Sequence, residues 1–198
     1  MREKIVAVSG YFNPLHIGHI EMIEKAKKYS DIVQFEVSDA AKLSFAKNGE
    51  FDSVLMALSL QNIENYTEAL AEAARVLKDK GSLVVVMNHP VLRIPKRSFW
   101  DWDETKKVQY RRLDGYMSES REQIDMDPGK KTNKRYTYSF HRPLQVYVKA
   151  FAKAGFVIEG LEEWISHKQS EKGPRSQAED AARKEFPMFL MLKAHKRA

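Results

Sequence analysis

The strongest constraint on this chain is the alternation of strand-length apolar runs with helix-length amphipathic segments. KIVAVSG (4–10), DIVQFEVSDA (31–40), FDSVLMALSL (51–60), GSLVVVMNHP (81–90), FVIEGLEEWI (156–165) and FPMFLMLKAH (186–195) each read as a strand bounded by turn residues. Between them, IGHIEMIEKAKKYS carries Ile20, Ile23 and Ala26 at helical spacing, with Lys25, Lys27 and Lys28 facing outward. Asn65 and Glu68 spell a capping box for a helix that runs to Lys80 before Gly81, with Leu70, Ala73, Ala74 and Leu77 as its stripe. HRPLQVYVKAFAKAG (141–155) reads as a helix with Pro143 in its first turn and Gly155 as its cap, and AEDAARKE as a short helix.

That order, β-α-β-β-α-β-α-β-α-β, predicts an α/β fold. The expected architecture is a Rossmann-like, doubly wound, mostly parallel sheet of about six strands, with the final pair giving an antiparallel edge strand. Ligands in such sheets bind beyond the carboxyl ends of the strands. The 198 residues fit a single α/β domain, 1–198. Cysteine is absent, which excludes disulfides, thiolate zinc sites and a cysteine nucleophile. No apolar run approaches the roughly 20 residues of a membrane helix, and MREKIVAVSG lacks a signal-peptide pattern. The expectation is a cytoplasmic protein with no membrane partner.

The net charge of +6 is concentrated. From Arg93 to Arg142 there are 13 Lys and Arg against 8 Asp and Glu, interleaved with Trp100, Trp102, Tyr110, Tyr116, Tyr136 and Tyr138. Basic and aromatic residues together can bind nucleic acid. No nucleic-acid motif accompanies them, which argues against that partner. The segment 93–140 reads instead as an insertion whose aromatics pack on the core or line a small-molecule pocket.

GYFNPLHIGH (10–19) joins the first strand to the first helix. Gly10 permits a sharp turn, and Asn13 with Pro14 favours one. His16 and His19 are three apart at the mouth of a helix, where free N–H groups attract phosphate. Imidazoles there can donate to a polyphosphate as charge develops on it. No third metal ligand is near, so no metal site is expected.

This stretch resembles the G-x-F-(D/N)-P-x-H-x-G-H loop of the nucleotidyltransferase superfamily that includes the cytidylyltransferases, and the likeness extends over residues 4–31. The resemblance implies that His16 and His19 contact the triphosphate of CTP or ATP, with magnesium. Gly10, Tyr11, Phe12, Asn13 and Gly18 would lie beside the nucleotide. The superfamily's second phosphate-clamping motif has no counterpart here.

From about Val33 onward the chain resembles a class I S-adenosylmethionine-dependent methyltransferase. The likeness rests on FEVSDAAKLSF, FDSVLMALSLQNIENYTEALAEAARVLKDKGSLVVVMNHPVLRIP, KAGFVIEGLEEW and the closing strand. It implies that Asp39 beside Ala40 lies near the adenine, and that the tip from Leu58 to Gln61 flanks the cofactor's sulfur. MNHPVLRIP and the aromatic insertion would cap the acceptor. The family's glycine-rich first loop and one β-α unit are missing. If DIVQFEVSDA pairs directly with KIVAVSG, Asp39 falls near the place of the acid that holds the ribose.

The two resemblances together read as a chimera: residues 1–32 from a nucleotidyltransferase and 33–198 from a methyltransferase, joined near Asp31–Val33. The expectation is a constructed chain without efficient catalysis, binding a nucleotide or phosphate weakly at GYFNPLHIGH. The alternatives are an S-adenosylmethionine-dependent methyltransferase acting on a small molecule, and a nucleotidyltransferase using CTP or ATP. The ligand would be a small-molecule nucleotide or nucleoside. Apolar area at the seam makes self-association possible. Among lesser features, Ser139, His141 and Arg142 read as a cap for the helix that follows, and NHP at 88–90 as a strand-end turn.

Overall fold

The structure, a computed structural model, describes residues 6–10, 36–127, 129 and 131–197. Its centre is a sheet of β1 (Val6–Gly10), β2 (Phe51–Ala57), β3 (Leu77–Asn88), β8 (Phe156–Trp164) and β9 (Phe189–Lys196), in the order β1-β2-β3-β9-β8. β1, β2 and β3 run parallel; β9 runs antiparallel to both β3 and β8. The described sheet is therefore mixed: β1, β2, β3 and β8 point one way, and β9 alone runs against them. The last strand of the chain is not its edge: β9 lies inside, and β8 is the edge. FPMFLMLKAH is apolar enough to be covered on both sides by other strands, which an edge does not require.

The alternation in β3 explains its placement. Leu83, Val85 and Met87 are buried on one face, together with Val54 and Met56 from β2 and Leu190, Leu192 and Ala194 from β9. Helices α1 (Tyr66–Val76) and α2 (Leu144–Lys153) cover that face with Leu70, Ala73, Val76, Tyr147, Ala150 and Phe151. A period of two along the strands meets a period of 3.6 along the helices. The helix expected over 17–30 lies outside the described residues. No helix of the described residues is long and apolar enough to cross a membrane.

Several boundaries differ from the sequence pattern. The strand expected at 51–60 ends at Ala57, because Leu58 adopts a left-handed conformation (φ 52°). The helix expected to reach Lys80 ends at Val76, and the chain turns at once into β3. Leu77, expected on the helical stripe, pairs with Phe51 of β2 instead. Gly81 is a strand residue, not a helix cap. A Cβ there would lie 2.8 Å from the Lys78 carbonyl oxygen, so only glycine fits the irregular start of β3. The capping box does not form: Asn65 makes no side-chain cap, and the Glu68 carboxylate accepts from the Thr67 hydroxyl at 2.8 Å.

Residues 36–40 of the expected strand 31–40 are not extended into the sheet. Asp39 makes an isolated bridge with Lys42, and its Oδ1 accepts the Ala41 N–H at 2.9 Å, an Asx-type turn. Polar Ser-Asp followed by Ala-Ala-Lys supplies its own local hydrogen bonds, which compete with a ladder. The segment 93–140 folds into two hairpins, β4 (Ser98–Asp103) with β5 (Val108–Leu113), and β6 (Ser120–Asp125) with β7 (Tyr136–His141). Helix α3 (Ser176–Glu185) leads into Phe186, whose ring meets Trp100 of β4 edge-on at 5.4 Å.

Candidate functional site

The parallel strands end together. Gly10 stands opposite Ala57 in register, and Ala57 opposite Val86, so the carboxyl tips of β1, β2 and β3 form one edge. The loop after β2 is fixed there. The Leu58 N–H donates to the Val86 carbonyl at 2.7 Å, and the Leu58 carbonyl accepts from Gln61 Nε2 at 3.0 Å and Asn62 Nδ2 at 3.2 Å. These bonds hold Leu58 in a conformation that a branched side chain resists. They also leave it 41% exposed at the sheet's edge. Strained backbone and exposed apolar surface at one residue are features that cluster at binding sites.

Leu60 is buried and anchors the one-turn 3-10 helix Leu60–Asn62. Gln61 beside it is buried, and its Oε1 has no hydrogen-bond partner among the described residues. Gln61 lines a small cavity of about 20 Å³ with Asn88, Arg93, Ser139, His141 and Arg142. Arg142, only 4% exposed, organises this wall. Its Nη2 donates to the carbonyls of Ile63 and Glu64 at 3.1 and 3.0 Å, and its guanidinium lies 4.0 Å from the Tyr66 ring centre. Burial raises the Tyr147 hydroxyl's pKa, while the neighbouring Arg142 charge partly opposes that. The expected cap for α2 is therefore absent: Pro143 takes the cap position without a side-chain bond, and Arg142 serves the segment before α1 instead.

The two buried histidines are held by position. His141 donates Nε2–H to the Tyr116 carbonyl at 2.7 Å, and the Tyr116 hydroxyl accepts the Leu144 N–H at 3.1 Å. His89 accepts the N–H groups of Val91 and Leu92 at Nδ1, so its Nε2 carries the hydrogen and donates to Glu163 at 2.7 Å. NHP is indeed a strand-end turn, and the His89–Glu163 bond ties it to the edge strand β8.

Of the residues singled out in the sequence, Gly10 and Leu58 reach this edge. Asp39 and Ala40 sit in the turn described above. The residues that follow are tied to the far end of α1: Glu72 accepts the Leu43 N–H at 2.7 Å, and Arg75 donates to the carbonyls of Leu43 and Ala46. Tyr11, Phe12, Asn13, His16, Gly18 and His19 lie outside the described residues. Gln61 closes the Leu58–Gln61 tip and Arg93 lies within MNHPVLRIP, the segments that the methyltransferase resemblance puts beside the cofactor and the acceptor; neither residue type marks the site by itself.

Comparison with known proteins places this geometry. The chain superposes on a putative S-adenosylmethionine-dependent methyltransferase from Listeria monocytogenes with a TM-score of 0.69 and 24% identity, covering 98% of this chain and 92% of that one. An S-adenosylmethionine-dependent methyltransferase from Mesorhizobium loti gives 0.66 at 21% identity, covering 98% and 90%. The fold is that of the S-adenosylmethionine-dependent methyltransferases.

A methyltransferase-domain family model matches residues 18–85. Demethylmenaquinone methyltransferase from Leptospira interrogans is 38% identical over 69 residues, 35% of this chain and 27% of its own length. The Bacteroides fragilis enzyme of the same name is 40% identical over 65 residues, 26% of its length. This chain thus matches about a quarter of those relatives. The family match begins at Gly18 and crosses the expected junction near Asp31–Val33. The methyltransferase likeness is not confined to one side of that junction, and the comparisons give the chimera and nucleotidyltransferase readings no support.

Proposed function

We propose that this chain is an S-adenosylmethionine-dependent methyltransferase acting on a small molecule. One observation carries the reading. The methyltransferase-domain match over 18–85 includes the whole Leu58–Asn62 loop, which sits at the carboxyl tips of the parallel strands. The described residues there suit a nucleoside-sulfonium ligand. Leu58 offers exposed apolar surface, Gln61 holds an unpartnered buried carbonyl oxygen, and Gly10 presents backbone without a side chain. The cofactor would supply an electrophilic methyl group. Leu58 would pack against it, and Gln61 Oε1 would accept a hydrogen bond from it. The cavity wall from Asn88 to Arg142 would exclude water from the acceptor side.

Calorimetric titration with S-adenosylhomocysteine tests this. Binding that weakens about tenfold or more in Gln61→Leu, the size of one lost hydrogen bond at a buried site, is the expected result. Binding of CTP or ATP in its place would overturn it.

A further inference from the structure

Beside the strand tips lies a second, larger cleft of about 430 Å³. It shares Asn88, Arg93, Pro95 and Ser139 with the small cavity and continues between the two hairpins to Lys96 and Arg111. Its charge is unusual. Arg93 donates no side-chain hydrogen bond among the described residues; its guanidinium lies 5.1 Å from the Phe189 ring centre. Arg111 is braced from one side only. Its Nε donates to the Leu92 carbonyl at 2.7 Å, its Nη2 donates to Ser98 Oγ at 2.9 Å, and its plane lies 4.9 Å from the Trp100 ring centre. Neither arginine forms an ion pair with a carboxylate among the described residues. The carboxylate of Glu122, near the cleft's rim, is shared by Lys96 at 3.6 Å and Arg97 at 3.9 Å.

Two like charges side by side in a half-buried cleft oppose each other. Burial lowers the pKa of both arginines, and Arg93 lowers that of Arg111 further. Such an arrangement costs stability unless something negative enters it. The aromatic faces behind the guanidinium planes orient their N–H edges, and planar forked donors match an oxyanion in two-point contact. Arg142 lies in the adjoining small cavity, where its Nε is 4.0 Å from the Glu119 carboxylate and its Nη1 has no hydrogen-bond partner among the described residues.

From this geometry we infer that the acceptor is an anionic small molecule, whose carboxylate or phosphate group docks between Arg93 and Arg111 with the remainder directed toward Asn88 and the Leu58 loop. The inference rests on the methyltransferase reading for the word acceptor, though the anion site stands on its own geometry.

The test uses the full chain and three probes of similar shape: benzoate, phenyl phosphate and neutral benzamide, each titrated with and without saturating S-adenosylhomocysteine. The expected result is that benzoate or phenyl phosphate binds at least about tenfold tighter than benzamide, and that Arg93→Met removes the difference, as loss of one charge-assisted hydrogen bond would. Arg111→Met should do the same, and Arg93→Lys should restore part of it. Which anion is preferred distinguishes a carboxylate source from a phosphate source. Equal binding of all three probes, or anion binding unchanged in the folded Arg93→Met variant, overturns the inference. Circular dichroism of each variant establishes that it is folded. If S-adenosylhomocysteine fails to bind while the anions still do, the methyltransferase reading fails and the anion site survives.

Discussion

Arg142 and Glu72 show how single polar residues set the local structure. Arg142 closes off two carbonyls that precede α1, and it does so from a position almost removed from water. In Arg142→Met those carbonyls lose their donors without gaining access to solvent. Chemical denaturation should show a loss of about 2 to 4 kcal/mol. Lysine, which lacks the fork that reaches both oxygens, should recover little of it. Glu72 works on the surface of the same layer. Its carboxylate accepts from Arg75 and from the Leu43 N–H, and these bonds hold its pKa below the usual glutamate value. The contribution to stability is therefore present above about pH 4.3, where the unfolded carboxyl ionises, and is lost as pH falls through the lower folded value. The stability gap between the wild type and Glu72→Gln should be full at neutral pH and shrink in acid, in denaturation series run across that range.

At the level of elements, the strands and helices of the central layers were readable because each has the periodicity its partner demands. Val6–Gly10, Phe51–Ala57, Phe156–Trp164 and the α2 helix fall where their apolar spacing puts them. What failed was local chemistry overruled by tertiary pairing. Leu77 has helical spacing with Leu70 and Ala73, yet the hydrogen-bonding edge of β2 claims it for β3. The hairpins at 98–113 and 120–141 carry no strand signal in the sequence because their faces alternate between half-buried and exposed, with arginine and tyrosine where a core strand would carry valine. The candidate site is legible as segments, the Leu58–Gln61 tip and MNHPVLRIP, and not as a set of facing side chains. The arginines of the cleft come from separate segments that only the folded chain brings together.

Two substitutions test these element-level reasons. Phe151→Ala removes a fully buried ring that touches Phe156 and the sheet, and should cost about 3 to 5 kcal/mol by denaturant titration. Gly81→Ala drives a methyl against the Lys78 carbonyl and the Leu77 side chain, and should cost about 1 to 3 kcal/mol although it is formally a small change.

The whole molecule divides by how each part is buried. β2, β3 and β9 form the middle of one sheet, with Leu83, Val85, Leu190 and Leu192 fully covered. The hairpins form two separate two-stranded sheets, and only Phe140 and His141 among their strand residues are buried. Isolated hairpins are marginal in water, so these depend on their ties to the rest. Those ties include the Arg111–Leu92, Ser98–Ile94 and His141–Tyr116 hydrogen bonds and the Trp100–Phe186 contact. Opening a hairpin exposes little apolar surface, whereas opening β3 exposes the core. Native-state hydrogen exchange should therefore resolve two levels. Amides of Leu83 to Val86 and Leu190 to Leu192 should exchange only with global unfolding, and their protection should fall with denaturant at the full slope. Amides of Trp100 to Asp103 and Val108 to Arg111 should exchange through a smaller opening with a shallow slope. Equal protection in both groups would make the hairpins part of one cooperative unit. The expected division has a consequence for the cleft. Asn88 ends β3, and Arg93 in the following turn is tied to that end by its N–H to the His89 carbonyl and by the Phe189 ring, while Arg111 rides on a hairpin that opens at lower cost. An anion bridging Arg93 and Arg111 would join the two levels, so phenyl phosphate or benzoate should raise protection in β4 and β5 while leaving β3 and β9 at their global limit.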